Sequence, residues 1–315
     1  MLDYIKVRKY RHLKHLINLW NVEFRSTYPI KKALYQQLIL NDENFNMDAS
    51  FVALYDNEPV GFIFVKTWLN ESGFANEIDT AHISLIFVKK ELRNMGIGSD
   101  LLQLAISELK KYHHIDRLIV GNEMLRVFSG LPNELSNAAI FFVNKGFVQK
   151  ESAVDMIRIV RNDKIEEIDT KGLNVSIATD EDKDKILQLC VQNGWQREAF
   201  LVNKYFEDGG SGRRIALGTI NDKPIAIVRF NDESKLPFKL SMLDNDKNLG
   251  SINFVKIDKN YDSEEYYTIM NKITKNYLLK RGCKKIVVLA TNNVKFYKNL
   301  GFSAYKYYLQ FELAL

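Results

Sequence analysis

The chain predicts an α/β fold built as two similar halves in tandem, and three observations carry that expectation. Residues 83–88, Ile-Ser-Leu-Ile-Phe-Val, have the β-branched and aromatic pattern of a buried strand, followed by a glycine turn and a helix-periodic segment. The same order of strand, helix, hairpin, strand, helix, strand and late helix recurs about 155 residues further on. The length of 315 residues suits two domains of roughly 150 residues, each able to bury a core.

Composition narrows the function classes. Hydrophobic residues make up 46% and charged residues 26%, the proportions of an ordinary globular protein. A net charge of +5 favours an anionic ligand and gives no case for nucleic acid. No stretch approaches the roughly 18 apolar residues that span a bilayer. The opening Met1-Leu2-Asp3-Tyr4-Ile5-Lys6 lacks the apolar segment of a signal peptide. The expectation is a cytoplasmic protein with no membrane partner. Cys190 and Cys283 stand far apart with no metal-ligand spacing, so reduced thiols and no metal are expected.

The first half reads in order. Residues 4–8 form a first strand, and residues 10–20 a helix with Leu13, Leu16, Ile17 and Trp20 on one face. A second helical piece covers residues 32–40. Residues 51–65 form a hairpin turning at Asp56-Asn57-Glu58-Pro59. Residues 69–79 read as a polar loop, and residues 80–88 as the strand before the glycine turn. Strict alternation would put His82, Ser84, Ile86 and Val88 on one face of it, with Ala81, Ile83, Leu85 and Phe87 on the other. The turn is Arg93-Asn94-Met95-Gly96-Ile97-Gly98-Ser99, and the helix then places Leu101, Leu102, Leu104, Ala105, Ile106 and Leu109 at helical spacing. Residues 117–121 give another strand, and residues 147–150 and 155–161 the last strands of this half. Residues 122–136, with their Ser-Gly-Leu-Pro turn, would either shape a pocket or form a surface excursion.

The glycine turn carries the chemistry. Gly96 and Gly98 lie where the helix begins, so several backbone N–H groups and the positive helix end converge on one point. Glycine lets the backbone approach an anion without a Cβ in the way. Arg93 can close over phosphates from the side. The third glycine of a dinucleotide fingerprint and the Gly-Lys-Ser/Thr of a Walker loop are both missing.

Arg93-x-x-Gly96-x-Gly98, between strand and helix, resembles the pyrophosphate loop of the GNAT superfamily of N-acetyltransferases. The hairpin at residues 51–65 and the late helix from Asn137 to Gly146-Phe147 resemble that family's pieces in the same order. The resemblance implies two tandem GNAT-like domains, each a mixed central β-sheet flanked by helices (α+β). The first would span residues 1–161, a charged linker residues 162–172, and a degenerate second domain residues 173–315. It also implies an acetyl-CoA co-substrate and direct attack by the primary amine of a small molecule or peptide. Ile86, Phe87, Val88, Arg93, Asn94, Met95, Gly96, Ile97, Gly98, Ser99, Asn137 and Phe142 would bind the cofactor. Trp20, Phe24, Arg25, Tyr28 and Pro29 would form the acceptor wall, and the protein would be a monomer with an intramolecular domain pair.

Two departures matter. The family often places a tyrosine acid four residues before the Gly-Phe glycine, and Phe142 stands there in the first half. The second half has Tyr297 at that position but lacks the loop, and Asp258, Asp262 and Glu264 occupy the place of the phosphates. Candidates for the base are Glu77, Asp79 and His82, of which histidine, with an unperturbed side-chain pKa of about 6.5, suits the task best. Asn137 fits a helix N-cap. Three readings stay open at this point: an N-acetyltransferase, an acyl-CoA sensor without turnover, and an aminoacyl- or peptidyl-transferring relative.

Overall fold

The computed structural model describes residues 1–68, 78–232 and 248–315, which fall into two compact units. In the first, strands β1 (Leu2–Lys6), β2 (Phe51–Tyr55), β3 (Glu58–Thr67) and β4 (Thr80–Val88) form an antiparallel run. Strand β5 (Arg117–Val120) pairs parallel to β4. Helix α1 (Leu13–Phe24) buries Leu16, Ile17 and Trp20, the apolar stripe that the sequence spacing requires. Helix α2 (Lys32–Tyr35) continues as a π turn at Gln36–Leu40 rather than as one regular helix. Helix α3 (Ile97–Leu109) lays Leu101, Leu102, Ala105 and Leu109 on the sheet, in one core with Ala81, Ile83 and Val65. A short strand β6 (Leu131–Pro132), helix α4 (Ser136–Asn144) and strand β7 (Val148–Gln149) follow.

The second unit repeats the plan. Its strands are β8 (Ala153–Ile159), β9 (Asn174–Ile177), β10 (Ile215–Ile220), β11 (Lys223–Asn231), β12 (Leu249–Ile257), β13 (Lys285–Thr291) and β14 (Ser303–Leu309). They order as β14-β8-β13-β12-β11-β10-β9, with β12 and β13 parallel. Helices α5 (Lys183–Gln192), α6 (Gln196–Glu207), α7 (Glu264–Lys280) and α8 (Val294–Asn299) cover this sheet. The core here is built around Phe230, Ile252, Met270, Ile286 and Tyr297. Both sheets are therefore mixed, as expected.

The last strand, β15 (Phe311–Ala314), corrects the expected order. It pairs with β5 and β7, so the first sheet runs β1-β2-β3-β4-β5-β15-β7. Conversely β8, read from the sequence as a closing strand of the first half, pairs with β13 in the second sheet. Residues 307–315 belong to the first unit and residues 154–306 to the second. Alternation marks a strand but not its neighbour, and two similarly patterned closing strands can trade places without leaving a mark in either pattern.

Strand β4 also departs from strict alternation. Phe64 pairs with Leu85 and Val65 with Ile83, so Ser84 is the extra residue of a β-bulge. The bulge resets the faces. Ile86 and Val88 join Ala81 and Ile83 in the core under α3, while Phe87 stacks on Phe62 and meets Trp20 on the opposite face. The expected grouping of His82 with Ile86 and Val88 is thus overturned by one inserted residue.

Candidate active site

Strands β4 and β5 part company after Ile83 and Val120. The last bond between them is from Gly121 N–H to Ile83 C=O at 2.9 Å. Beyond it β4 runs on alone at that edge. Lys89 N–H donates to Val60 C=O, which fixes Phe87 and Leu85 as the residues bonded to β3. Ile86 and Val88 therefore turn their backbone groups to the open edge, and Arg93 Nε donates to Val88 C=O there at 2.9 Å. An open ladder edge of this kind is satisfied by any extended partner that carries amides.

A cleft of about 810 Å³ occupies the gap. Gly96 has φ +88°, the left-handed conformation that favours glycine, and starts α3 from there. Gly98 lies under Phe141, whose ring would stand 3.6 Å from an added Cβ. The N–H groups of Asn94, Met95, Gly96, Ile97 and Gly98 have no acceptor among the described residues. Five donors at the positive end of a 13-residue helix are an arrangement suited to an anion. Arg93 stands beside them with its guanidinium on Glu23, at 2.7 and 2.6 Å to the two carboxylate oxygens.

Of the residues expected at the cofactor, Ile86, Phe87, Val88, Arg93, Asn94, Gly96, Gly98, Ser99, Asn137 and Phe142 line this one cleft. Met95 points to solvent at 63% exposure and Ile97 is buried in the α3 core. Asn137 is exposed and is not an N-cap, because α4 begins at Ser136 with Leu135 before it. Phe142 is fully buried, with its ring against Phe147 and stacked on Phe311.

The expected bases lie elsewhere. His82 is buried, with Nδ1 2.9 Å from Gly121 C=O, and does not line the cleft. It belongs to a buried polar group with Glu123, Lys66 and Asp42. Asp79 pairs with Arg117 at 2.8 and 2.9 Å. Burial raises its pKa, but hydrogen bonds from Thr80 and Arg117 outweigh this and hold it below the usual carboxylate range. Glu77 lies outside the described residues.

The residues after β5 line the cleft rather than forming a surface excursion. Phe128, Gly130, Leu131, Pro132 and Glu134 all face it. Tyr28 donates to Glu134 at 2.6 Å, and Trp20 Nε1 donates to Tyr28 C=O at 2.7 Å. Trp20 and Phe24 line the cleft as expected, whereas Arg25 is exposed and stands outside it. Glu23, Ser84 and Glu134 were not legible as site residues. Ser84 depends for its place on the bulge, Glu134 on the path of residues 122–135 and Glu23 on helix α1, none of them on a spaced motif.

Among the described residues the second unit offers no comparable set of donors. At the start of α7 the Ser263 hydroxyl already accepts the Tyr266 N–H, and Glu264 and Glu265 occupy the first turn. Asp258 accepts the backbone and side-chain N–H groups of Asn260. Tyr297 is buried, which pushes its hydroxyl up to about 12. Among the described residues no cluster of metal ligands occurs and no helix is long and apolar enough to cross a membrane.

A strand, a glycine turn and a helix stand beside two parting parallel strands, the arrangement of the GNAT fold. Residues 13–126 match the acetyltransferase (GNAT) family model, and the chain has the fold of the tandem GNAT proteins. The GCN5-related glucosamine N-acetyltransferase region of a fungal multi-domain GH3 β-N-acetylglucosaminidase aligns with 99% of this chain at TM-score 0.85 and 16% identity. This chain spans 38% of that protein. A GCN5-related N-acetyltransferase from Sphaerobacter thermophilus aligns over 100% of this chain and 95% of its own, at TM-score 0.66 and 10% identity. A tandem GNAT protein from the clavulanic acid biosynthesis pathway aligns over 100% and 98%, at TM-score 0.67 and 12% identity. At these identities the likeness is one of fold. A sequence comparison with curated proteins finds no match.

Proposed function

We propose that the first unit is an acetyl-CoA-dependent N-acetyltransferase that acts on a primary amine of a small molecule or peptide, as a monomer. The observation that carries this is the set of five unpartnered N–H groups from Asn94 to Gly98 at one end of the cleft. They suit the pyrophosphate of acetyl-CoA, with Arg93 and Ser99 beside it. The open edge at Ile86 and Val88 suits the two amides of the pantetheine arm. The arm's sulfur end then lies toward Ser84 and Phe128, where the amine attacks the thioester carbon in a ternary complex. Trp20, Phe24 and the Tyr28–Glu134 pair border that end, and Glu134 supplies a carboxylate for a cationic acceptor. The second unit, which has no such donor set among the described residues, serves as support.

Phe142 favours one other reading, an acyl-CoA sensor without turnover, because it puts a ring with no hydroxyl where the family often has its acid. Calorimetric titration of acetyl-CoA, followed by thiol release across an amine panel that includes glucosamine, separates the two. The double variant Gly96→Val/Gly98→Val, with its fold checked by circular dichroism, is expected to lose binding at least tenfold. Wild-type affinity in that variant would remove the loop from the site.

A further inference from the structure

Ser84 is the residue in the cleft wall with an unexplained polar group. It is 3% exposed, and its Oγ has no hydrogen-bond partner among the described residues. A buried hydroxyl in that state is unfavourable unless something else satisfies it. The other polar side chains of the lining reach solvent or are already paired. Asn94, Ser136 and Asn137 are exposed, Arg93 holds Glu23, and Glu134 accepts from Tyr28. Ser84 is also the bulge residue, at the point where β4 and β5 separate. Val88, at the phosphate end, is four residues further along the strand, about 13 Å away.

The second unit supplies an internal comparison. Strand β12 carries the same bulge: Arg229 pairs with Phe254 and Phe230 with Ile252, so Asn253 is the extra residue. There the bulge side chain is satisfied. Asn253 Oδ1 accepts from Asn231 Nδ2 at 2.9 Å and from Ser251 Oγ at 2.8 Å. The fold thus permits a partnered side chain at this position, and the unit without an anion site has one. The unit with an anion site keeps a bare hydroxyl.

We propose that the Ser84 hydroxyl donates a hydrogen bond to the carbonyl oxygen of the acyl thioester bound in this cleft. The assignment rests on the acetyl-CoA reading above. As the amine nitrogen bonds to the carbonyl carbon, the C=O π pair moves onto oxygen. When that pair returns, the C–S bond breaks and sulfur leaves with its electrons. The proton lost by the amine balances the thiolate. Ser84 keeps its own proton throughout and acts on the charge that builds on oxygen.

The test compares acetyl-CoA with coenzyme A, which has no carbonyl at the sulfur. Both are titrated into wild-type protein, Ser84→Ala and Ser84→Cys, and the unfolding midpoint of each variant is measured without ligand. Ser84→Ala is expected to bind coenzyme A within twofold of wild type and acetyl-CoA roughly three- to tenfold more weakly. Its unfolding midpoint should equal or exceed that of wild type, since no bond within the protein is lost. Ser84→Cys, a weaker donor, should fall between the two. Unchanged acetyl-CoA affinity in Ser84→Ala, or equal losses for both ligands with a lowered midpoint, would overturn the assignment while leaving the acetyl-CoA reading intact. A wild-type protein that binds neither ligand would overturn both.

Discussion

On the acetyl-CoA reading, Arg93 would be shared between two anions. It holds Glu23 through both carboxylate oxygens and stands next to the unpartnered N–H groups of the anion site. A pyrophosphate there must draw the guanidinium from Glu23 or share it. The pair is partly exposed, with Arg93 at 37% and Glu23 at 25%, so its worth is about 0.2–1 kcal/mol. Glu23→Gln should therefore tighten acetyl-CoA binding about two- to fivefold by calorimetry; weaker binding would mean that Glu23 orients Arg93 rather than competing for it. The buried group under the sheet makes a stability prediction. Lys66 Nζ donates to Leu38 C=O at 2.6 Å and Leu125 C=O at 2.8 Å and pairs with Asp42 at 2.8 Å, its side chain 3% exposed. Lys66→Met would strand Asp42 and Glu123, and should cost roughly 3–5 kcal/mol in denaturant unfolding. Burial pushes Glu123 up, but Lys66 and the Val127 N–H bring it below its ordinary 4.5. Its stabilisation is present in full above about pH 4.5 and is lost as pH falls below that toward the folded value. Glu123→Gln should flatten this acid limb.

At the scale of the element, the legible and the illegible divide cleanly. Helix α3 and its glycine start were readable because amphipathic period, glycine and strand stand together within thirty or so residues. The hairpin of β2 and β3 was readable from its turn residues. The bulge in β4 was not, because an inserted residue leaves composition and local hydrophobicity unchanged while reversing every face beyond it. His82 illustrates the cost: alternation grouped it with Ile86 and Val88 on one face, and the bulge left it behind in the buried Lys66 group. The N-terminus of α4 was misplaced by two residues because Asn137 has the chemistry of a cap but Leu135 takes the position. The role of residues 122–135 stayed open in the sequence since a segment without period carries no instruction about what it faces.

For the whole molecule, the repeat was visible and the exchange of closing strands was not. Residues 1–161, the span that sequence similarity would mark as a domain, contain β8 but lack β15. Expressed alone, that span should leave the β5 edge without its partner, bind no acetyl-CoA and aggregate in size-exclusion chromatography, since an uncovered sheet edge invites pairing with other chains. Soluble, binding-competent 1–161 would refute the importance of β15. The exchange also sets a timetable for synthesis. Strand β7 ends at Gln149 and β15 begins at Phe311, so translation at about 5–20 residues per second separates them by roughly 8–30 s. Through that interval the first sheet waits with a gap beside β5, and the half made first is completed last. The nascent chain must be kept from strangers for as long as its own missing strand is still being made.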